Sequence, residues 1–272
     1  MKRCYGLSSP DLSPRQFPRH CPICLVVFSI LLLFAPALFA QYASHVVISE
    51  VYGGGGNLGA PWTNDYIELY NPTSSVVSLT GWSVQYASAT ATTWTKTDLT
   101  GSIPAYGFFL IHQASGGAVG SPLPTPDATG TISMNATAGK VALVNTSTAL
   151  SGANPTDASI VDLVGYGTTA NGFEGSGPAP APSNTKSAER KARGSSDATK
   201  HAAAGVDEYA GNGEDSNNNA NDFVAQITIV PQNTSSEIEG LRVRNTTTDA
   251  YFGKIQRAID QAASSQTLDV VA

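Results

Sequence analysis

Two short strand-like runs, Val46–Tyr52 and Asp65–Asn71, sit on either side of the glycine stretch Gly53–Gly56. In the second run Ile67 and Leu69 fall on one face, and Tyr66, Glu68 and Tyr70 on the other. A period of two is that of a half-buried β-strand. Asn71-Pro72 makes a turn, and Leu79-Thr80-Gly81-Trp82 opens a third strand. The grammar then repeats. Trp82, Val84 and Tyr86 alternate with Ser83 and Gln85, and further strands are predicted at Thr93–Leu99, Phe108–His112, Lys140–Asn145 and Ser159–Tyr166. The last of these is largely apolar on both faces, as suits a central strand. No stretch between Val46 and Val230 keeps a helical period. Many short strands separated by Gly-, Ser-, Thr- and Asn-rich turns predict an all-β sandwich.

The first 40 residues have a different character. Lys2, Arg3, Arg15 and Arg19 precede a continuous apolar run, Leu25–Phe34, and Ala35–Ala40 ends in small residues. This is the pattern of a secretory signal peptide with cleavage after Ala40, and the apolar run is short for a membrane span. All three cysteines, Cys4, Cys21 and Cys24, lie here, so the CxxC spacing of Cys21 and Cys24 is expected to leave with the signal. The remaining chain has no cysteine and relies on its core. Losing four basic residues and Asp11 takes the formal charge from −6 to −9 for residues 41–272. An acidic secreted chain is a poor nucleic-acid binder, since phosphate contacts need clustered Lys and Arg. The expected location is outside the cell or on its surface, with no membrane span after cleavage.

Further motifs follow the opening strands in order. They include Ile103-Pro104-Ala105-Tyr106-Gly107, Pro124-Thr125-Pro126-Asp127 and Gly139-Lys140-Val141-Ala142-Leu143-Val144. Val161-Asp162-Leu163-Val164-Gly165-Tyr166-Gly167, Ala181-Pro182-Ser183-Asn184 and Ser187-Ala188-Glu189-Arg190-Lys191 come next. Together with Val46–Trp82 they resemble the lamin tail domain of secreted bacterial proteins, over about residues 43–230. The resemblance implies an immunoglobulin-like β-sandwich without catalytic residues. It also implies a cysteine pair in the segments corresponding to Ser151–Thr156 and Ala170–Glu174, which this chain lacks. A missing disulfide is expected to cost a few kcal/mol, roughly 2–4.

Residues 231–244 read as a linker. Beyond it Phe252, Ile255, Ile259 and Ala262 fall at helical spacing, and Leu268-Asp269-Val270-Val271 starts a strand. Residues 245–272 resemble the opening of a right-handed parallel β-helix of the pectin-lyase type, where a helix caps the first coil. One coil cannot bury its own core. The helix is therefore expected to belong to a truncated solenoid or to lean on the sandwich.

No residue pattern assembles an active site. His45, His112 and His201 are far apart in sequence, and neither HExxH nor GxSxG occurs. Gly53–Gly56 lacks the Lys-Ser/Thr and the helix that a phosphate loop needs, and reads as a flexible inter-strand loop. Glu50, Asp65, Glu68 and Asn71 gather near the first two strands, where paired carboxylates could do acid/base work or bind Ca²⁺. The plainer reading turns Glu68 to solvent. Asp207, Glu214, Asp215, Asn217 and Asp222 lie in a polar, Asn-rich stretch supplying the hard oxygens that Ca²⁺ prefers, with an ordinary solvated loop as the alternative. Lys186, Arg190, Lys191, Arg193 and Lys200 read as the guard of an edge strand. The expectation is a non-catalytic extracellular interaction or surface-display module of a larger secreted protein. Its partner would be an extracellular protein or polysaccharide. The alternative is an accessory domain of a secreted enzyme, a polysaccharide lyase or a nuclease or phosphoesterase, whose catalytic domain is not in this chain.

Overall fold

The computed structural model describes residues 41–271, so the predicted signal peptide and the three cysteines lie outside the described residues. The predicted runs form strands β1 (Val47–Tyr52), β2 (Tyr66–Tyr70), β3 (Val77–Ser78), β4 (Ser83–Ser88) and β5 (Thr95–Asp98). β6 (Ser102–Ile103), β7 (Phe108–His112), β8 (Ala128–Thr129), β9 (Gly139–Val144) and β10 (Ile160–Tyr166) follow. β11 (Ser187–Arg190) and β12 (Phe223–Gln226) come next, and β13 (Val243–Asn245), β14 (Ala250–Phe252) and β15 (Leu268–Val270) end the series. One sheet has the order β12-β11-β1-β2-β7-β8 and the facing sheet the order β10-β9-β4-β5. The fold is an all-β, immunoglobulin-like sandwich.

The core lies between these sheets. Ile48, Val51, Ile67, Leu69, Phe109 and Ile111 meet Val84, Tyr86, Val141, Leu143, Val164 and Tyr166, and all are buried. Each such side chain contributes roughly 1.5–3 kcal/mol on burial. Trp82 packs only partly buried against this core, while Trp94 is buried in a smaller cluster and donates its indole N–H to Gly152 O at 3.0 Å.

A bulge in β1 decides what faces outward. Ile48 pairs with Leu69, but Glu50 pairs with Glu68, leaving Ser49 as the extra residue. Strict alternation would have placed Ile48 and Glu50 on the same face. The bulge instead puts Val51 in the core beside Ile48 and turns Glu50 and Tyr52 to the outer face with Glu68 and Tyr66.

That outer face is not left to water. Ile229 packs with Tyr52, Tyr66 and Leu110. Gln232 N donates to Glu68 at 2.6 Å, and Tyr70 Oη donates to Glu239 O at 2.9 Å. The segment read as a linker over 231–244 is thus fastened along the sheet, and Glu68, read as solvent-facing, is 1% exposed. Local composition could not show this, because the partners lie more than 160 residues apart in sequence.

β14, β13 and β15 form a small antiparallel sheet. The helix predicted next to it forms at Ile255–Gln261 and lays Ala258 against Val243 and Phe252. Its apolar stripe is divided: Phe252 is buried, whereas Ile255 and Ile259 are about half exposed. Among the described residues no helix is long and apolar enough to cross a membrane.

Candidate functional site

Three glutamates stand abreast on three adjacent strands: Glu189 on β11, Glu50 on β1 and Glu68 on β2. Like charges directly opposite one another destabilise a sheet, so this row calls for protons, donors or a cation. The row lies at a cavity of about 220 Å³, whose other walls include Glu208, Tyr209, Val230, Glu237, Glu239 and Arg257.

The hydrogen bonds to the four innermost carboxyls come from neutral groups. Tyr66 Oη donates to Glu50 Oε2 at 2.6 Å. Ser49 Oγ donates to Glu68 Oε1 at 2.6 Å, and Gln232 N to its other oxygen. Gln232 Nε2 donates to Glu239 Oε1 at 2.7 Å. His201 Nε2 accepts from Ala192 N at 3.0 Å, which leaves the ring proton on Nδ1, 3.4 Å from Glu189 Oε1. The cation at the rim, Arg257, is engaged by Glu237 and lies over the Tyr209 ring at 4.4 Å.

Burial, reinforced by the neighbouring Glu189 charge, pushes the Glu50 carboxyl up to about 8. Burial and the Glu50 charge hold Glu68 well above the usual carboxylate range. Glu239 is likewise raised to about 8 by burial. Glu189 Oε2 is left without a partner at the row, and the fully buried Ser187 lies against Glu50, where its hydroxyl opposes the upward shift. Sequence reasoning found Glu50 and Glu68 but missed Glu189 and Glu239. Their convergence depends on strand order and on the fastened 231–244 segment.

The predicted hard-oxygen residues take separate places. Asp207 accepts from Arg193 Nε at 3.0 Å and Ser196 Oγ at 2.8 Å. Asp222 accepts from Ser216 and Asn218 backbone N–H groups and from Ser216 Oγ. Asp215 lies 3.6 Å from Arg190, beside Asp222 and Glu214 in the same acidic surroundings. Glu214 is buried with Oε2 unpaired, and its carboxyl is pushed up by burial and by the Asp222 charge. Asn217 is exposed with φ +53°. Among the described residues no three His, Cys, Asp or Glu side chains are arranged to hold a metal ion.

The other candidates are structural. Asp65 accepts from Gly55 N and Met134 N, both at 2.9 Å, and burial raises it to about 6. Asn71 Nδ2 donates to Ser75 O and Pro104 O across a turn. Gly53–Gly56, read as a flexible loop, is buried and closely packed: a Cβ on Gly55 would lie 1.9 Å from Asn64 C. His45 lies 3.8 Å from Asp215, and His112 ends β7. The basic run does not guard an edge, since β11 lies between β12 and β1. Arg190 is fully buried, bonded to Asp162 at 2.7 Å and placed over Phe223.

Residues 40–168 match the family model for the lamin tail domain. The match ends just after β10, so it takes in Glu50, Glu68, Asp65 and Asp162 but neither β11 nor the covering segment. The matched family is immunoglobulin-like and non-enzymatic, in agreement with the sandwich. No curated protein matches the chain.

Proposed function

We propose that this chain is a non-catalytic extracellular interaction or surface-display module of a larger secreted protein, with an extracellular protein or polysaccharide as its partner. One observation carries the reading. The side chains that could do chemistry are engaged in holding the sandwich: Asp65 on a buried loop, Asp162 on Arg190, Lys140 on three loop oxygens, and Glu68 on the covering segment. The match of residues 40–168 to a non-enzymatic family supports it. Export rests on the signal-like first 40 residues.

A second reading, an accessory domain of a secreted enzyme, draws on the exposed apolar side chains Ile255, Val270 and Val271 at the end of the small sheet. Such a surface suits a neighbouring domain, and the resemblance to a β-helix opening suggests a solenoid. The test is to incubate the purified protein with insoluble polysaccharides and with extracellular protein fractions, then to measure co-sedimentation and soluble products. Co-sedimentation without product release is expected. Release of sugars or nucleotides that scales with protein concentration would overturn the non-catalytic reading.

A further inference from the structure

We propose that Asn171 is a self-modifying site: in the folded protein its side-chain amide leaves as ammonia, and the resulting aspartate pairs with the Lys140 ammonium. The described chain has two Asn-Gly steps, Asn171-Gly172 and Asn212-Gly213. A glycine after asparagine lets the next backbone nitrogen reach the side-chain carbonyl carbon, since no Cβ stands in the way. The fold treats the two steps differently. Asn212 is buried, and its Nδ2 donates to Glu189 Oε1 at 3.4 Å. Asn171 is open to water. Its Oδ1 accepts from Lys140 Nζ at 2.8 Å, whereas its Nδ2 has only a long contact, 3.5 Å, with Thr90 O. Among the described residues nothing accepts a hydrogen bond from Gly172 N–H.

The Lys140 ammonium polarises the Asn171 carbonyl and stabilises the negative charge that develops on Oδ1 as the carbon is attacked. Gly172 N bonds to Asn171 Cγ, the Cγ–Nδ2 bond breaks, and the Gly172 proton leaves with Nδ2 as ammonia. Water then opens the five-membered imide, adding hydroxyl to Cγ and returning a proton to Gly172 N. The net change is amide plus water to carboxylic acid plus ammonia, with no oxidant or reductant. Opening at Cγ restores the ordinary backbone, whereas opening on the other side inserts a methylene into the main chain. Gly172 is packed so tightly that a Cβ there would run into the Ala153 carbonyl, which favours aspartate over isoaspartate. Lys140 otherwise has the neutral acceptors Ala91 O and Ala153 O. A carboxylate in place of the Asn171 amide gives it a charged partner and a stronger bond, so the tie between these loops tightens as the protein ages.

The experiment is incubation of the purified protein in ¹⁸O-labelled water at pH 7.5, folded and in concentrated urea, followed by peptide mapping by mass spectrometry. In the folded protein Asn171 is expected to take up label at least tenfold faster than Asn212, and in urea the two should label at similar rates. Lys140→Met, checked for a wild-type circular dichroism spectrum, should slow labelling of Asn171 several-fold. Asn171→Asp, which supplies the product directly, should melt about 2–4 °C above wild type. No label at Asn171 in the folded protein, or equal labelling of the two steps there, would overturn the proposal. So would undiminished labelling in Lys140→Met or a lower melting temperature in Asn171→Asp.

Discussion

Lys140 Nζ lies 2.8 Å from Asn171 Oδ1, and the same ammonium donates to Ala91 O and Ala153 O, each at 2.7 Å. Ala153 and Asn171 belong to the two segments in which the lamin tail resemblance implies a cysteine pair. A buried cation on three neutral oxygens therefore ties together loops that a disulfide would otherwise join. Burial lowers the Lys140 pKa, since desolvation disfavours its charge. Lys140→Met should destabilise the protein by about 3 kcal/mol, because two part-buried carbonyls and the Asn171 amide oxygen lose a charged donor. Urea unfolding checks this, and a change under 1 kcal/mol would mean that the loops hold without the ammonium.

The glutamate row makes a prediction about pH. Glu50 and Glu239 have folded-state values near 8 against 4.5 for an ordinary glutamate. The folded state therefore binds more protons than the unfolded state between these limits, and stability falls as pH rises through them. The groups facing Glu50 are Glu189, Tyr66, Ser187 and Glu68, none of them a cation that would reverse the sign. Melting temperature should be higher at pH 5 than at pH 8, and Glu50→Gln should flatten the profile.

Asp162 and Arg190 form a second buried unit. Asp162 Oδ2 accepts from Arg190 Nη2 at 2.7 Å and from Ile48 N at 2.6 Å, while Arg190 Nε donates to Ile48 O at 2.9 Å. The pair closes the backbone of β1 just before its bulge. Removing one member of a buried pair costs about 3–5 kcal/mol, and Asp162→Ala should fall in that range. The double variant Asp162→Leu/Arg190→Met should lose less than the sum of the single changes, as measured by denaturant titration. Strict additivity would mean that the two side chains do not act together.

The sandwich strands were legible because their signal is local. Val84, Tyr86, Val141 and Val164 alternate with their neighbours and point into the core. The site was legible only in part. Glu50 and Glu68 could be read as a pair, but alternation alone puts Glu50 beside Ile48, and a one-residue bulge reverses that. Arg190 looks like a surface charge in sequence, yet β12 shields its strand and Asp162 meets its guanidinium. In each case the deciding contact is made by a residue on another strand, which local composition does not report.

The glycine loop offers a paired comparison. Gly55 has no room for a methyl group against Asn64, whereas Gly81, at φ +87°, has nothing within 4 Å. Gly55→Ala should cost at least about 3 kcal/mol through forced displacement of backbone. Gly81→Ala should cost about 1–2 kcal/mol, from the left-handed conformation alone. Thermal denaturation ranks the two, and equal losses would mean that the loop around Gly55 yields easily.

Ca²⁺ binding through Asp207, Glu214, Asp215, Asn217 and Asp222 is tested by melting curves with millimolar CaCl₂ and with chelator. Coincident curves are expected, because Asp207 is held by Arg193 and Asp222 by three donors of its own loop. A native-state ligand would separate the curves in proportion to its concentration. A separation lost in Asn217→Gly would place Ca²⁺ on that loop.

The helix Ile255–Gln261 sits at the low-stability end of the described chain. Seven residues cannot sustain a helix in water without packing. The packing here is Ala258 on Val243 and Phe252, with Arg257 tied to Glu237 and Tyr209. Ile255 and Ile259 contribute little, since each keeps about half its surface in water. Strand β10 instead pairs with β9, and Leu163–Tyr166 is buried on both faces. Amide exchange should therefore be fast in Ile255–Gln261 and slow in Leu163–Tyr166, as local opening needs only the loss of the weaker contacts. Equal, strong protection of the helix would mean that Arg257 and Ala258 anchor it as firmly as a core strand.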